Sequence, residues 1–575
     1  MTSLITQPQI LTTAAADASA IGSAIEEAKA AAAGPTTSLA AAAEDEVSAI
    51  TAQFFGSFGQ EYQALLQQAS AFHGQFVAAL AGAGNAYAQA EAQIAASLGL
   101  TSGASAGPAF GAVTQAADPA VTAILIMTGS GTATPSTTYM TNVFNRYLTQ
   151  FTGVPINALT AVSTAEGLYP YTGVKDLTLD ISLARGVTEL NNAIATALPT
   201  PGTGGPIAVL GYSQSSIIAS LAMPKLIAEG YTSNQIFFNL LGDPANPNGG
   251  LLARFPGLSL PSLGLTFGTS TPSNLFHTDI YTLEYDGFAD FPRYPIDIFS
   301  DLNALAGIVF VHGTYPTLSA SQLANSFLLP GSASAPFNTP GSMTDYHLIR
   351  TENLPLLTPI RAIPVIGTPL ADLVQPDLKL LVNWGYGDPN FGYSTSPSNV
   401  QTPFGFLPPL SATTELATLL PGATQQGVSA FANDLSHLAA SAASTGSTGL
   451  PPLTLPSSAS MPTTITGVIQ AIQSANSNIA GTIAGDVSTA YATLLPTADI
   501  ATALAVSVPS YDVNLFLDGI NEAITVDPVQ GLMDAFGRPI AADVGLFTLA
   551  GGFEFLSIVN SAETIFTGTP HPGPF

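Results

Sequence analysis

Apolar positions at the start of the chain recur at three- and four-residue steps, and in its middle they give way to short continuous runs. Ile21, Ile25, Ala28 and Ala32 mark one helical stripe. Gly34-Pro35-Thr36 breaks it as a turn and cap would, and a second stripe runs from Val47 through Phe54, Tyr62 and Phe72 to Leu80. Two helices joined by one turn predict an antiparallel hairpin over residues 1–98, with apolar stripes left for a partner. Residues 99–118 read as a Gly/Ala/Ser linker. From 119 to 390 the pattern alternates. VTAILIMTG (121–129), PIAVLGYS, QIFFNLLGDP, DIYTLEYDG and GIVFVHG read as strands, and TYMTNVFNRYLTQF, TELNNAIATAL and SSIIASLAMPKLIAEG as helices. Such alternation predicts an α/β domain with a largely parallel sheet. Residues 391–575 form a Pro/Ser/Ala-rich, partly helical region with amphipathic stretches such as SYDVNLFLDGINEAI, and the pattern assigns it no chemistry.

Charge narrows the function classes. The net charge is −27 with only 11 Lys+Arg, which excludes the basic surface that nucleic acid needs. Nine of those cations fall between Arg146 and Lys379, which marks the middle block as the part with ordinary globular chemistry. The absence of cysteine excludes disulfides, thiolate metal sites and Cys nucleophiles. No uninterrupted apolar run is long enough for a membrane-spanning helix, so no transmembrane segment is expected. The opening MTSLITQPQI lacks the basic and apolar blocks of a Sec signal, so export would need another signal.

Two serines compete as nucleophile. Ser105, between Gly103 and Gly107, fits the G-x-S-x-G pattern better, but it sits in the linker with no strand before it and no helix after it. Ser213 stands between a strand-like run ending at Leu210 and a helix-like run from Ser216, the frame of an α/β-hydrolase nucleophile turn. Gly211 supplies the close packing there, and Ser215 replaces the last Gly of the pattern. A serine hydroxyl needs a base and the base an orienting acid, in the chain order Ser, Asp, His. Of six histidines, His312 directly follows GIVFV, where the base belongs, and His347 is the weaker candidate. Asp290, followed by Phe-Pro, is narrowly preferred as the acid over Asp286, while Asp243 reads as a turn residue. The oxyanion donors are expected from Gln214 and from Ser130 and Gly131 in the loop TGSGTATPS.

These residues carry a resemblance. The Ala-rich hairpin, with AAAGPTTSLAAAAEDEVSA and FHGQFVAAL, resembles the PE domain of mycobacterial PE proteins, although Pro8 is followed by Gln9 and not Glu. Tyr87 and Glu91 match the Y-x-x-x-D/E export signal of type VII secretion substrates. GYSQS, YDGFADFPRYP, DLNALAGIVFVHGTYP and ENLPLLTPIR resemble the PE-PPE domain, a serine α/β-hydrolase related to cutinases, whose His-x-x-Tyr is similar to His312–Tyr315. The resemblance implies a secreted or cell-surface esterase or lipase acting on acyl esters, with no metal or cofactor. It also implies a hairpin that pairs with a PPE protein or a secretion component. An acyltransferase with the same site, and a surface protein that keeps the fold without catalysis, are the alternatives.

Overall fold

The computed structural model describes residues 120–173, 176–444 and 494–567, with Ala33, Gly34, Ser477 and Ser488. The chain divides into two compact units, Met1–Ala112 and Val113–Phe575, and the sheet and its helices belong to the second. The hairpin over 1–98, its Tyr87 and Glu91, and the linker with Ser105 lie outside the described residues.

Nine strands are present among the described residues: β1 (Ala123–Ile126), β2 (Thr160–Ala161), β3 (Ile207–Tyr212), β4 (Ile236–Leu241), β5 (Ser259–Leu260), β6 (Leu265–Thr266), β7 (His277–Leu283), β8 (Phe327–Leu328) and β9 (Thr344–Ile349). Seven of them form one sheet in the order β2-β1-β3-β4-β7-β9-β8, parallel throughout except for edge strand β8. The fold is therefore α/β with a mostly parallel sheet, as the alternating pattern predicts. All six residues of β3 are buried, because a central parallel strand is covered on both faces. Ile207 and Val209 pack into the cluster under helices α2 (Leu179–Ala197) and α3 (Gln214–Ala228). Ala208, Leu210 and Tyr212 point the other way, toward α1 (Thr137–Tyr147).

The chain leaves β1 toward β2 on one side and returns through α2 to β3 on the other. That reversal opens a crevice at the carboxyl ends of β1 and β3, the place where open α/β sheets bind ligands. The loop after β1 and Ser213 after β3 both lie there.

GIVFVHG departs from the expected strand. Its apolar residues close helix α4 (Ile298–Phe310), whose buried positions Ser300, Asp301, Asn303, Ala304, Gly307 and Ile308 follow a helical stripe. Four adjacent apolar residues do not reveal their period, whereas the polar residues before them do. His347, which follows no strand in the sequence pattern, lies inside β9. Helix α5 (Gly367–Trp384) ends the block read as α/β, and in the region read as Pro/Ser/Ala-rich residues 410–444 form α6 (Leu410–Ser444). Two more, α7 (Val508–Thr525) and α8 (Pro528–Thr567), follow near the end.

The stretches Leu494–Thr525 and Pro528–Val559 are weak evidence against the expectation of no membrane-spanning segment. Their hydropathies of 1.4 and 1.5 and their lengths meet that test by composition alone. Asp499, Asp512 and Asp518 interrupt the apolar runs without lowering the average enough, so a search for continuous runs misses them. In the fold, their Ala503, Val508, Tyr511, Leu515, Ala541 and Leu546 join the cluster that covers the sheet.

Candidate active site

Ser213 begins the turn from β3 into α3 with φ 56° and ψ −118°, a conformation that costs a non-glycine residue on the order of 1–3 kcal/mol. The turn is tight enough that a Cβ on Gly211 would come within 2.8 Å of the Ser215 carbonyl oxygen. Ser215 fits where the sequence pattern has glycine. Its hydroxyl accepts from the Tyr212 N–H at 2.8 Å and donates to the Tyr212 carbonyl at 3.1 Å, so the extra side chain is buried with its polar atom satisfied.

His312 opens a short 3-10 turn (His312–Thr317) directly after α4. Its Nε2 is 2.8 Å from Ser213 Oγ, and its Nδ1 is 2.8 Å from both carboxylate oxygens of Asp286. Asp286 also accepts from the Tyr315 hydroxyl at 2.8 Å and from the Phe288 N–H at 3.1 Å. The imidazole is held on its faces and edge. Tyr212 stacks on it at 5.4 Å while donating to the His312 carbonyl at 2.6 Å, and Phe288 meets it edge-on at 4.8 Å. Gly242 passes the ring so closely, at φ 53°, that a Cβ would stand 3.1 Å from His312 Cε1.

The preference for Asp290 is corrected here. Tyr285 takes a left-handed conformation (φ 67°) just past β7 and turns Asp286 onto the imidazole. The Asp290 N–H donates to the Asp286 carbonyl at 2.5 Å, which sets Asp290 one turn further on. Its carboxylate accepts the Tyr285 N–H at 3.0 Å, and burial pushes it well above the usual carboxylate range. The nearby Arg254 guanidinium, itself lowered to about 10 by burial, opposes that rise. The Phe-Pro after Asp290 fixes a buried loop and not the base.

Of the three residues expected to supply oxyanion donors, Gln214 and Ser130 line the same cavity as Ser213. Gln214 is the first residue of α3, so its N–H has no intrahelical acceptor. The Ser130 hydroxyl donates to Gln214 Oε1 at 2.8 Å, and both residues line the cavity in front of Ser213. The Gln214 amide group in turn donates to Ser182 Oγ at 2.7 Å and the Ala165 carbonyl at 3.1 Å, which ties the β1 loop to the segment before α2. Gly131 is corrected: its N–H is spent on the Glu166 carbonyl at 2.7 Å.

The remaining titratable candidates have structural partners. His347 stacks on Tyr281 at 4.4 Å and His277 on Phe237 at 5.8 Å. Asp243 is a buried turn residue, accepting from the Ala245 N–H at 3.0 Å and from the Thr271 hydroxyl at 2.5 Å. Burial raises its carboxyl to about 6 despite those bonds. The fold therefore keeps the Asp243 proton at pH values where the unfolded chain, near 3.9, has lost it. This stabilisation is present below about pH 4 and is lost as pH rises through 6. Asp243→Asn is expected to raise Tm relative to wild type at pH 8, by the equivalent of up to about 3 kcal/mol, and to bring no gain at pH 4. The same Tm difference at both pH values, in thermal unfolding, would contradict this.

A cavity of about 470 Å³ opens in front of Ser213, in the size range of pockets that take drug-sized ligands. Its walls are overwhelmingly apolar, and none of the described residues lining it is charged. Part of the wall comes from residues beyond 494, including Ile500, Val508 and Phe553, in the region to which the sequence pattern assigns no chemistry. Among the described residues no group of three or more His, Asp or Glu side chains is arranged to hold a metal ion. The arrangement can deliver a serine alkoxide to a carbonyl beside an apolar chain.

Comparison with known proteins agrees with this chemistry at a coarser level. Residues 4–94 match the PE family model and residues 155–387 the PE-PPE domain model. Three relatives from Mycobacterium tuberculosis match over most of the chain. Uncharacterized PPE family protein PPE28 is 47% identical over 79% of this chain and 68% of its own. Esterase PE16 is 42% identical over 68% of this chain and 70% of its own. PE family protein PE3 is 42% identical over 73% of this chain and 86% of its own. No solved structure matches. These likenesses support an esterase- or lipase-like function.

Proposed function

The chain belongs to the mycobacterial PE/PPE family, with a PE domain followed by a PE-PPE domain, and on that premise we propose that it is a serine esterase that hydrolyses acyl esters. The observation that carries the reading is the unbroken chain of 2.8 Å contacts from Ser213 Oγ through His312 to Asp286, set at an uncharged apolar cavity. In this reading Ser213 Oγ attacks the ester carbonyl carbon while His312 Nε2 takes its proton. Asp286 fixes the imidazole tautomer and stabilises the imidazolium. The oxyanion sits on the Gln214 N–H with Ser130 beside it. Collapse expels the alcohol, which receives the proton from His312 and leaves an acyl ester on Ser213. Water then attacks that ester, giving its proton to His312, and as the second intermediate collapses His312 returns that proton to Ser213 Oγ while the fatty acid departs.

Residues 119–390 serve as the catalytic domain in this account. The hairpin over 1–98, with Tyr87 and Glu91, serves export to the cell surface and pairing with a PPE protein. Purified protein is expected to turn over p-nitrophenyl acyl esters, read by nitrophenolate release, and inactivity on a full chain-length series would contradict a hydrolase. Product analysis with an added long-chain alcohol separates transfer to water from transfer to a hydroxyl acceptor.

A further inference from the structure

Residues 494–567 lie beyond both family matches, yet they close one side of the cavity in front of Ser213. Ile500, Leu504, Val508, Leu546, Leu549 and Phe553 all face it. Between Ala503 and Ser507 the helix takes one wider π turn, of the kind often found at functional sites, and both Ala503 and Leu504 line the cavity there. The segment is fastened to the α/β core by polar bonds as well as packing. Tyr169 donates to the Asp499 carboxylate at 2.5 Å, Ser262 to the Asp499 carbonyl at 2.8 Å, and Tyr511 to the Pro256 carbonyl at 3.2 Å. Phe553 stacks over Phe288 at 6.5 Å and meets Tyr171 edge-on at 6.1 Å, and Phe288 is the ring that packs on His312. A wall of this kind reaches the base through a single aromatic side chain.

We propose that residues 494–567 form the acyl-chain subsite of the enzyme. The fatty chain of the ester lies between α7/α8 and the wall that includes Leu252 and Phe267, and Ala503 sets the length that fits. The absence of charge among the described lining residues selects a neutral hydrocarbon chain over a phosphate or carboxylate group, because an ion there would be desolvated without a partner. The amphipathic pattern of the last helices is thereby accounted for: their apolar stripe covers substrate as well as protein. The proposal rests on the esterase reading above, and its test separates the two.

Wild type is expected to gain about four-fold in kcat/KM per added methylene, equivalent to about 0.8 kcal/mol, until the cavity is filled. Ala503→Phe, which puts a ring into the cavity, lowers the ratio of long-ester to butyrate kcat/KM at least ten-fold, through KM. Leu549→Ala enlarges the cavity and moves the preferred chain at least two carbons longer. Val513→Ser, on a position 57% exposed and outside the lining, leaves the ratio unchanged. Binding of methyl parinarate to the Ser213→Ala protein, read by its fluorescence, requires no turnover. There Ala503→Phe is expected to raise Kd at least ten-fold. Equal Kd with and without Ala503→Phe overturns the subsite whether or not any ester is hydrolysed. Tight, Ala503-sensitive binding in a protein whose wild type hydrolyses nothing supports the subsite and overturns the esterase reading alone.

Discussion

Ser213→Ala is expected to lower kcat/KM for p-nitrophenyl esters by at least about 10³-fold, with Tm changed by no more than a few degrees. The size follows from the mechanism: without the hydroxyl no acyl-enzyme forms, and only oxyanion stabilisation and binding remain. The small stability effect follows from the geometry. Alanine inherits the same unfavourable φ of 56° and keeps the buried Cβ that faces Gly129, so the change removes the 2.8 Å bond to His312 and one oxygen atom. Steady-state kinetics alongside circular dichroism melting reads both. A Ser213→Ala protein retaining more than a tenth of wild-type activity would place the nucleophile elsewhere. Ser105→Ala, in the linker, is expected to change nothing.

The second large effect separates the two aspartates. Asp286→Asn is expected to lower kcat about 10⁴-fold with little change in KM, because an amide beside Nδ1 favours the tautomer whose Nε2 carries the proton and cannot act as base. It also replaces an acceptor of the Tyr315 hydroxyl. Asp290→Asn is expected to stay within ten-fold of wild type. Burial holds the Asp290 carboxyl well above its ordinary range, and an Asn Oδ1 still accepts the Tyr285 N–H. Kinetics of both variants on one short ester decide the matter, and the reverse order of effects would overturn the assignment.

Much of this was readable in the chain, for reasons that can be named. β1, β3 and β4 are central parallel strands covered on both faces, so they appear as short apolar runs, broken in β4 only by Asn239. Ser213 was legible because its strand and helix flank it directly in sequence, whereas His312 rests on GIVFV read as a strand and meets Ser213 from the end of a helix instead. The acid was less so: Asp286 and Asp290 differ by one turn, and the choice rests on the positive φ of Tyr285, which no residue type announces in a tyrosine. Gly131 failed because its amide is claimed by Glu166, a partner 35 positions away with no local signature. GIVFV was misread because four consecutive apolar residues suit a buried strand and a helix end equally. The wall beyond 494 was hidden for another reason. Its apolar stripe was visible, but what the stripe covers depends on packing against residues more than 200 positions earlier.

The same stripe bears on how the hydropathy of Leu494–Thr525 and Pro528–Val559 is understood. Composition alone makes them fit to cross a membrane, while the fold turns Val508, Leu515, Leu546 and Leu549 inward onto the sheet domain.

The central claim is that Ser213 is an activated nucleophile, and the most direct measurement is covalent labelling with a fluorophosphonate, followed by mass mapping of the modified peptide. The account predicts a single adduct on the peptide containing Ser213, with labelling lost in Ser213→Ala and slowed by orders of magnitude in Asp286→Asn. No adduct on wild-type protein, or an adduct on Ser130 or Ser215 with Ser213 unmodified, would contradict it.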